Sequence, residues 1–259
     1  MDELHVARDG PVATITLNRP EKHNAITVAM WEALPGVLAP LAADAAVRAV
    51  VVRGAGEEAF ASGADISEFE RVRNGAAPAR AYSALVAAAE RALADFPKPA
   101  IAMIHGFCVG GGLALALACD FRWSSPSGRF GITAARLGIV YGPGATRRLA
   151  DLVGPSHARD LLFSGRLVDA AEARAMGLVN RVCAPAELET ATYAYARTLA
   201  QQAPLSQRGA KAMLQRLAGE GTMTDRDIAA FIEAAYESAD YREGVRTFLA
   251  RRPARFEGR

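Results

Sequence analysis

The chain has 259 residues, 51% of them hydrophobic and 22% charged, with a formal net charge of +2. That composition fits a globular chain with a sizeable core, in one large domain or one domain with an appendage, and the small net charge excludes a general nucleic-acid binder. Three cysteines, Cys108, Cys119 and Cys183, form neither an even disulfide framework nor a CxxC pair and read as reduced thiols in a cytoplasmic protein.

The N-terminal residues have neither a basic region nor an apolar run, so no signal peptide is expected, and no apolar stretch is long enough to span a bilayer. Residues 4–8 and 12–17 flank Asp9-Gly10, a hairpin signal, and the second of these runs alternates as a half-buried strand does. A polar, turn-prone stretch, 18–25, follows. Thr27 is placed to cap a helix over residues 28–41 that Pro35 would bend or divide. The β-branched run 47–53 predicts a buried strand ending at Gly54-Ala55-Gly56. Residues 60–66 form a small-residue turn after it, with Ser67 as the expected cap of the acidic stretch beyond. Residues 74–78 read as a mobile loop, and 79–96 as an alanine-rich helix ended by Pro97-Lys98-Pro99.

The stretch 100–120 organises the rest. An apolar strand, 100–104, leads into Gly110-Gly111-Gly112 and then an all-apolar segment. Glycine permits positive φ and close backbone approach. A helix opening at Gly111 and Gly112 would point unpaired N–H groups and the positive end of its dipole at a negatively charged oxygen. Beyond it come a short strand, 121–124, a run at 129–141 of undecided type, a break at Gly142-Pro143-Gly144, and helical patterns to the end. The last 55 or so residues look like a helical appendage.

Several chemistries are excluded by pattern. Residues 106–112 lack the GK[ST] ending of a phosphate loop, no G-x-G-x-x-G follows a strand, and no G-x-S-x-G elbow is present. The four histidines lack metal-ligand spacing, so no metal site is expected. What remains is a pair of turns, Gly63-Ala64 and Gly110-Gly111, each after a predicted strand. Two backbone N–H groups meeting at one oxygen would make an oxyanion hole. The sequence itself does not say whether they meet.

Five segments taken together resemble the enoyl-CoA hydratase/isomerase (crotonase) superfamily over nearly the whole chain. They are residues 18–25, 60–66, 99–120 with the core His105-Gly106-Phe107-Cys108-Val109-Gly110-Gly111-Gly112, 136–149 followed by 162–180, and 240–248 with Arg251-Arg252. The resemblance implies an α/β spiral of ββα units over 1–203 and a C-terminal helical region, 204–259, used in trimerisation. A homotrimer or a dimer of trimers is then expected, with neither nucleic acid nor membrane as partner. It implies no bound cofactor and a coenzyme A thioester as substrate, its carbonyl between the N–H groups of Ala64 and Gly111. Contacts to the acyl-CoA would fall at Lys22, Ala25, Ala61, Asp65, Ile66, Gly110 and Thr133.

The departures from the family pattern bear on the reaction. Hydratases of the family carry two glutamates where this chain has Ala114 and Ala134, and a methyl group transfers no proton. No Asp or Glu occurs between Cys108 and Asp120 or from Phe121 to Ala150, so a shift in alignment does not restore them. Tyr141 is the candidate replacement. Methylmalonyl-CoA decarboxylases of the superfamily resemble this chain at Thr133, at Tyr141 and in the segment 240–248, although they carry a histidine in place of Ala64. Three expectations follow: an enolate-stabilising acyl-CoA enzyme without the hydratase glutamates, a decarboxylase or isomerase using Tyr141, or an acyl-CoA-binding oligomer with no activity.

Overall fold

The computed structural model describes residues 3–220 and 223–259. Strands β1 (Leu4–Asp9) and β2 (Val12–Leu17) form the expected hairpin, with Gly10 at φ +56° in the turn. Helix α1 (Val28–Ala43) starts where Thr27 accepts the Met30 N–H. Both Pro35 and Pro40 lie inside this helix, so Pro35 does not divide it.

Three ββα passes follow. The first is β3 (Ala49–Gly54), β4 (Ala59–Ala61), a short helix α2 (Phe69–Val72) and the long α3 (Ala76–Ala94). The second is β5 (Ala100–Ile104), β6 (Phe107–Val109) and α4 (Gly111–Ala118). The third is β7 (Phe121–Ser124), β8 (Arg129–Gly131), a 3-10 turn over Thr133–Leu137, and α5 (Pro143–Ser164), which bends at Gly154. In each pass the first strand joins a six-stranded sheet and the second joins a four-stranded one. Then come β9 (Leu167–Asp169), α6 (Ala170–Ala175), β10 (Arg181–Val182), α7 (Pro185–Ala200), and the terminal helices α8 (Pro204–Leu217), α9 (Asp225–Glu237) and α10 (Ala239–Leu249).

The large sheet runs β1-β2-β3-β5-β7-β10 and is parallel except for β1. Its inner strands are buried on both faces, which is why β3 and β5 read as continuous apolar runs rather than alternating ones. One face packs on α1, α3 and α4; α7 covers the other through Leu188 and Ala196. The small sheet runs β4-β6-β8-β9, with β4, β6 and β8 parallel.

Two local expectations are corrected. The stretch 74–78 is a loop only to Gly75, because Pro78 sits in the first turn of α3, where its missing N–H costs no helical bond. The cap before Glu68 is Asp65, not Ser67: the Ser67 N–H and hydroxyl both donate to the Asp65 carboxylate, at 3.0 and 2.6 Å. The undecided run 129–141 resolves into β8, the 3-10 turn and an irregular link.

Candidate functional site

Parallel pairing of β4 with β6 decides the site. Adjacent parallel strands end on the same side, so the turns at Gly63 and Gly110 fall next to each other. Both glycines take positive φ, +121° and +52°, which L side chains rarely adopt. The backbones touch closely enough that a Cβ added to Gly111 would lie 3.4 Å from the Ala64 nitrogen, and one on Gly63 would lie 3.9 Å from the Gly111 nitrogen.

The neighbours of Ala64 are fully used. Ile26 N–H donates to Gly63 O at 2.8 Å, and Asp65 N–H donates to Ile26 O at 2.9 Å. The Ala64 N–H itself finds no acceptor among the described residues, nor does that of Gly111, the first residue of α4. Two unpaired donors therefore lie close together, one of them at the positive end of a helix whose residues from Gly112 onward are buried. Gly112 rests directly on the Ala61 carbonyl and methyl group, an approach that only glycine permits.

Both turns line a cavity of about 560 Å³ that is apolar on most sides. Ala114, Thr133, Ala134 and Tyr141 line it too, so the two alanines present methyl groups to the same space. Ile66 lies at its wall and is exposed. The remaining residues expected to contact the acyl-CoA do not line the cavity. Ala61 is fully buried under Gly112, and Lys22 is exposed in the turn that receives the Ser62 hydroxyl. The Ala25 carbonyl accepts from Arg19, and the Asp65 carboxylate pairs with the same guanidinium at 2.9 Å.

Tyr141 donates its hydroxyl to Gly110 O at 2.9 Å, so its proton is committed to the glycine turn. Burial holds this phenol well above its ordinary pKa, and the charge of Glu90 pushes it the same way. Glu90 is the residue that sequence reading passed over. It projects from α3, is only 7% exposed, and its carboxylate lies 3.3 Å from Arg148 Nη1; Arg148 Nε reaches Glu220 at 3.2 Å. Desolvation raises the Glu90 carboxyl above the ordinary range, only partly opposed by Arg148. A signal was available: Tyr82, Val86 and Glu90 recur every four residues, and all three line the cavity.

Other reactive side chains nearby are engaged or buried. Glu68 accepts the Val28 N–H at 2.7 Å and pairs with Arg71. Cys108 is fully buried and desolvation drives its thiol strongly up, while Cys119 is pushed up to about 12; neither is a ready nucleophile. Among the described residues no cluster of three or more His, Cys, Asp or Glu could hold a metal ion.

Asp65 yields a pH prediction. The Ser67 hydroxyl, then Arg19 and the Ser67 N–H, pull its carboxyl below the ordinary Asp value, against a desolvation that raises it. A depressed carboxyl stabilises the fold above its unfolded pKa, about 3.9, and that stabilisation is lost as pH falls through the lower folded value. Thermal melts of Asp65→Asn against the parent should therefore diverge at pH 6 and converge toward pH 3. Parallel curves across that range would remove the ionised carboxylate as the turn's anchor.

Comparison with known proteins gives a consistent picture. The model of the enoyl-CoA hydratase/isomerase family matches residues 7–259. A crotonyl-CoA hydratase of Syntrophomonas wolfei is 34% identical over 260 residues, covering 98% of each chain. A short-chain-enoyl-CoA hydratase of Clostridium acetobutylicum is 33% identical over 257 residues, covering 97% of this chain and 96% of its own. Among solved structures, an enoyl-CoA hydratase/carnithine racemase of Magnetospirillum magneticum superposes with a TM-score of 0.94 at 37% identity, over 100% of this chain and 97% of that one.

Proposed function

Because the chain belongs to the enoyl-CoA hydratase/isomerase family and has the crotonase fold, we propose that it holds an acyl-CoA thioester with the carbonyl oxygen between the N–H groups of Ala64 and Gly111, and that it forms an enolate there without the hydratase glutamate pair. One observation carries the reading: these two N–H groups lack acceptors among the described residues and face one cavity, whose wall has methyl groups at Ala114 and Ala134. Charge moves onto the thioester oxygen as the enolate forms. Fixed donors therefore favour the transition state over the ground state.

Hydration needs one group to activate water and another to handle the α-proton, and the alanines supply neither. The use of Tyr141 as an acid has little support, since its hydroxyl already holds Gly110 O; we assign it to positioning the turn. Lys22, Ala25 and Asp65 stand around the same turn and are proposed to meet the CoA portion.

Assembly as a trimer or a dimer of trimers is proposed through the terminal helices, where Leu217, Phe248 and Leu249 are 85%, 84% and 77% exposed. Three buried free thiols suit a reducing, cytoplasmic setting, and among the described residues no helix is long and apolar enough to cross a membrane.

The test assays one purified sample for crotonyl-CoA hydration, for malonyl- and methylmalonyl-CoA decarboxylation, and for exchange of butyryl-CoA α-hydrogens with deuterated water. Exchange with hydration slower by at least about 100-fold is expected, the usual contribution of one acid–base group. Hydration as fast as exchange would overturn the reading. Tight thioester binding with none of these reactions would leave the chain as a binder.

A further inference from the structure

Glu90 combines two features that no other described acid of this region has. Among the described residues it is the one carboxylate that is both buried and part of the cavity wall. Asp95 and Glu220 also line the cavity but are more exposed, and Glu220 is held by Arg148 Nε. Asp65 and Glu68 are tied to Arg19 and to the start of α1.

A carboxylate in the apolar stripe of a helix costs free energy unless its charge is met. Among the described residues Arg148, at 3.3 Å, is the cation that bonds to Glu90, and its guanidinium is shared with Glu220. The stripe above it continues with Val86 and Tyr82, so Glu90 is the charged member of that stripe. Tyr141 lines the same cavity and is hydrogen-bonded to the oxyanion turn. The phenol senses the Glu90 charge, while its hydroxyl bonds to Gly110 O, the residue before Gly111. Glu90, Tyr141 and the glycine turn thus line one cavity, the space that an acyl chain would fill.

We propose that Glu90 is the proton-transferring carboxylate of this site, with Arg148 as its positioning residue; the inference rests on the reading that Ala64 and Gly111 hold the thioester oxygen. The Glu90 carboxylate takes a proton from the carbon next to the carbonyl. The C–H electron pair becomes the new carbon–carbon double bond, and the carbonyl π pair moves onto the oxygen between the two N–H donors. The carboxylic acid so formed gives its proton back to carbon. Return to the same carbon, after the carboxylic acid has traded its proton with solvent water, is exchange. Return two carbons further along a β,γ-unsaturated acyl chain moves the double bond into conjugation, with no atom gained or lost. A single carboxylate is sufficient for this 1,3 shift, and the substrate class assigned is a β,γ-unsaturated acyl-CoA.

The groups facing Glu90 are Arg148 and Tyr141 from beyond α4, Glu220 after α8, and Arg91 on its own helix. Burial and Glu220 favour its protonated form; Arg148 and Arg91 favour the carboxylate. Proton abstraction needs the carboxylate, so the rate rises with pH through a midpoint above the usual glutamate range.

The experiment follows α-hydrogen exchange of butyryl-CoA in deuterated water by mass spectrometry, with but-3-enoyl-CoA isomerisation in parallel. Glu90→Gln should keep its circular dichroism and butyryl-CoA affinity and lose about 100-fold or more in both rates. Glu90→Asp should restore part of the rate, and Arg148→Lys should move the pH midpoint. Parental rates in a folded Glu90→Gln protein, with exchange still lost in Gly111→Pro, would overturn Glu90 and leave the oxyanion reading standing. Absence of exchange in the parent protein with butyryl-CoA bound would overturn both.

Discussion

Replacing Gly111 with proline should lower the rate of enolate formation by about 100- to 1,000-fold, the usual effect of losing one oxyanion donor. Gly111 is the first residue of α4, where a helix has no intrahelical use for the N–H and where proline is well accepted. The substitution therefore removes the proposed donor without breaking a helical bond. It also adds a Cβ, 3.1 Å from Trp31 Cζ2 and 3.4 Å from the Ala64 nitrogen, and that crowding has its own cost. Gly111→Ala adds the same atom but keeps the N–H. The difference between the two variants reports the loss of the donor together with the ring carbon that takes its place, provided thermal melts show both folded. Equal rates in the alanine and proline variants would remove Gly111 N–H from the mechanism.

Arg122→Met should destabilise the protein by about 3 kcal/mol or more, the range expected when a buried charged donor leaves several acceptors unpaired. Arg122 is 2% exposed. Its guanidinium donates to Leu178 O at 2.8 Å, to Cys119 O at 2.8 Å and to Ala116 O at 3.3 Å, with Asn180 Oδ1 at 3.4 Å. These carbonyls close the C-terminal end of α4, the negative end of its dipole, and join it to the segment before β10. Methionine fills the volume but satisfies none of them. Chemical denaturation should report a lower midpoint with little change in slope, and an unchanged midpoint would show that the carbonyls find other partners. The loss should reach activity as well, since the opposite end of the same helix carries Gly111.

Much of the chain was legible because its signals are local. Asp9-Gly10 makes a hairpin, Thr27 caps α1, and the run Val50-Val51-Val52 is a strand buried on both faces. The glycines at 63 and 110 stand where the backbone needs positive φ. The misjudged places depend on more than neighbours. Pro78 marks a loop by composition but begins α3 by position, and Ser67 lost the cap to an aspartate two residues earlier. Glu90 stayed hidden because alanines surround it in sequence, and only the packed helix makes its stripe face the cavity.

The sequence by itself determined the elements, the glycine turns, the family resemblance, and the alanines at 114 and 134, since each depends on residue identity at one position or over a short window. Tertiary structure decided the rest. Nothing in residues 63–64 and 110–111 states that their backbones lie side by side; parallel pairing of β4 and β6, strands separated by the whole of α3, brings them there. Nothing local places Glu90, Arg148 and Tyr141 around one cavity, because they come from α3, α5 and the link before α5. Local preference acts through steric and hydrogen-bond effects over a few residues, whereas a site is a convergence of distant segments. Only the packing of sheet against helix specifies which of them meet.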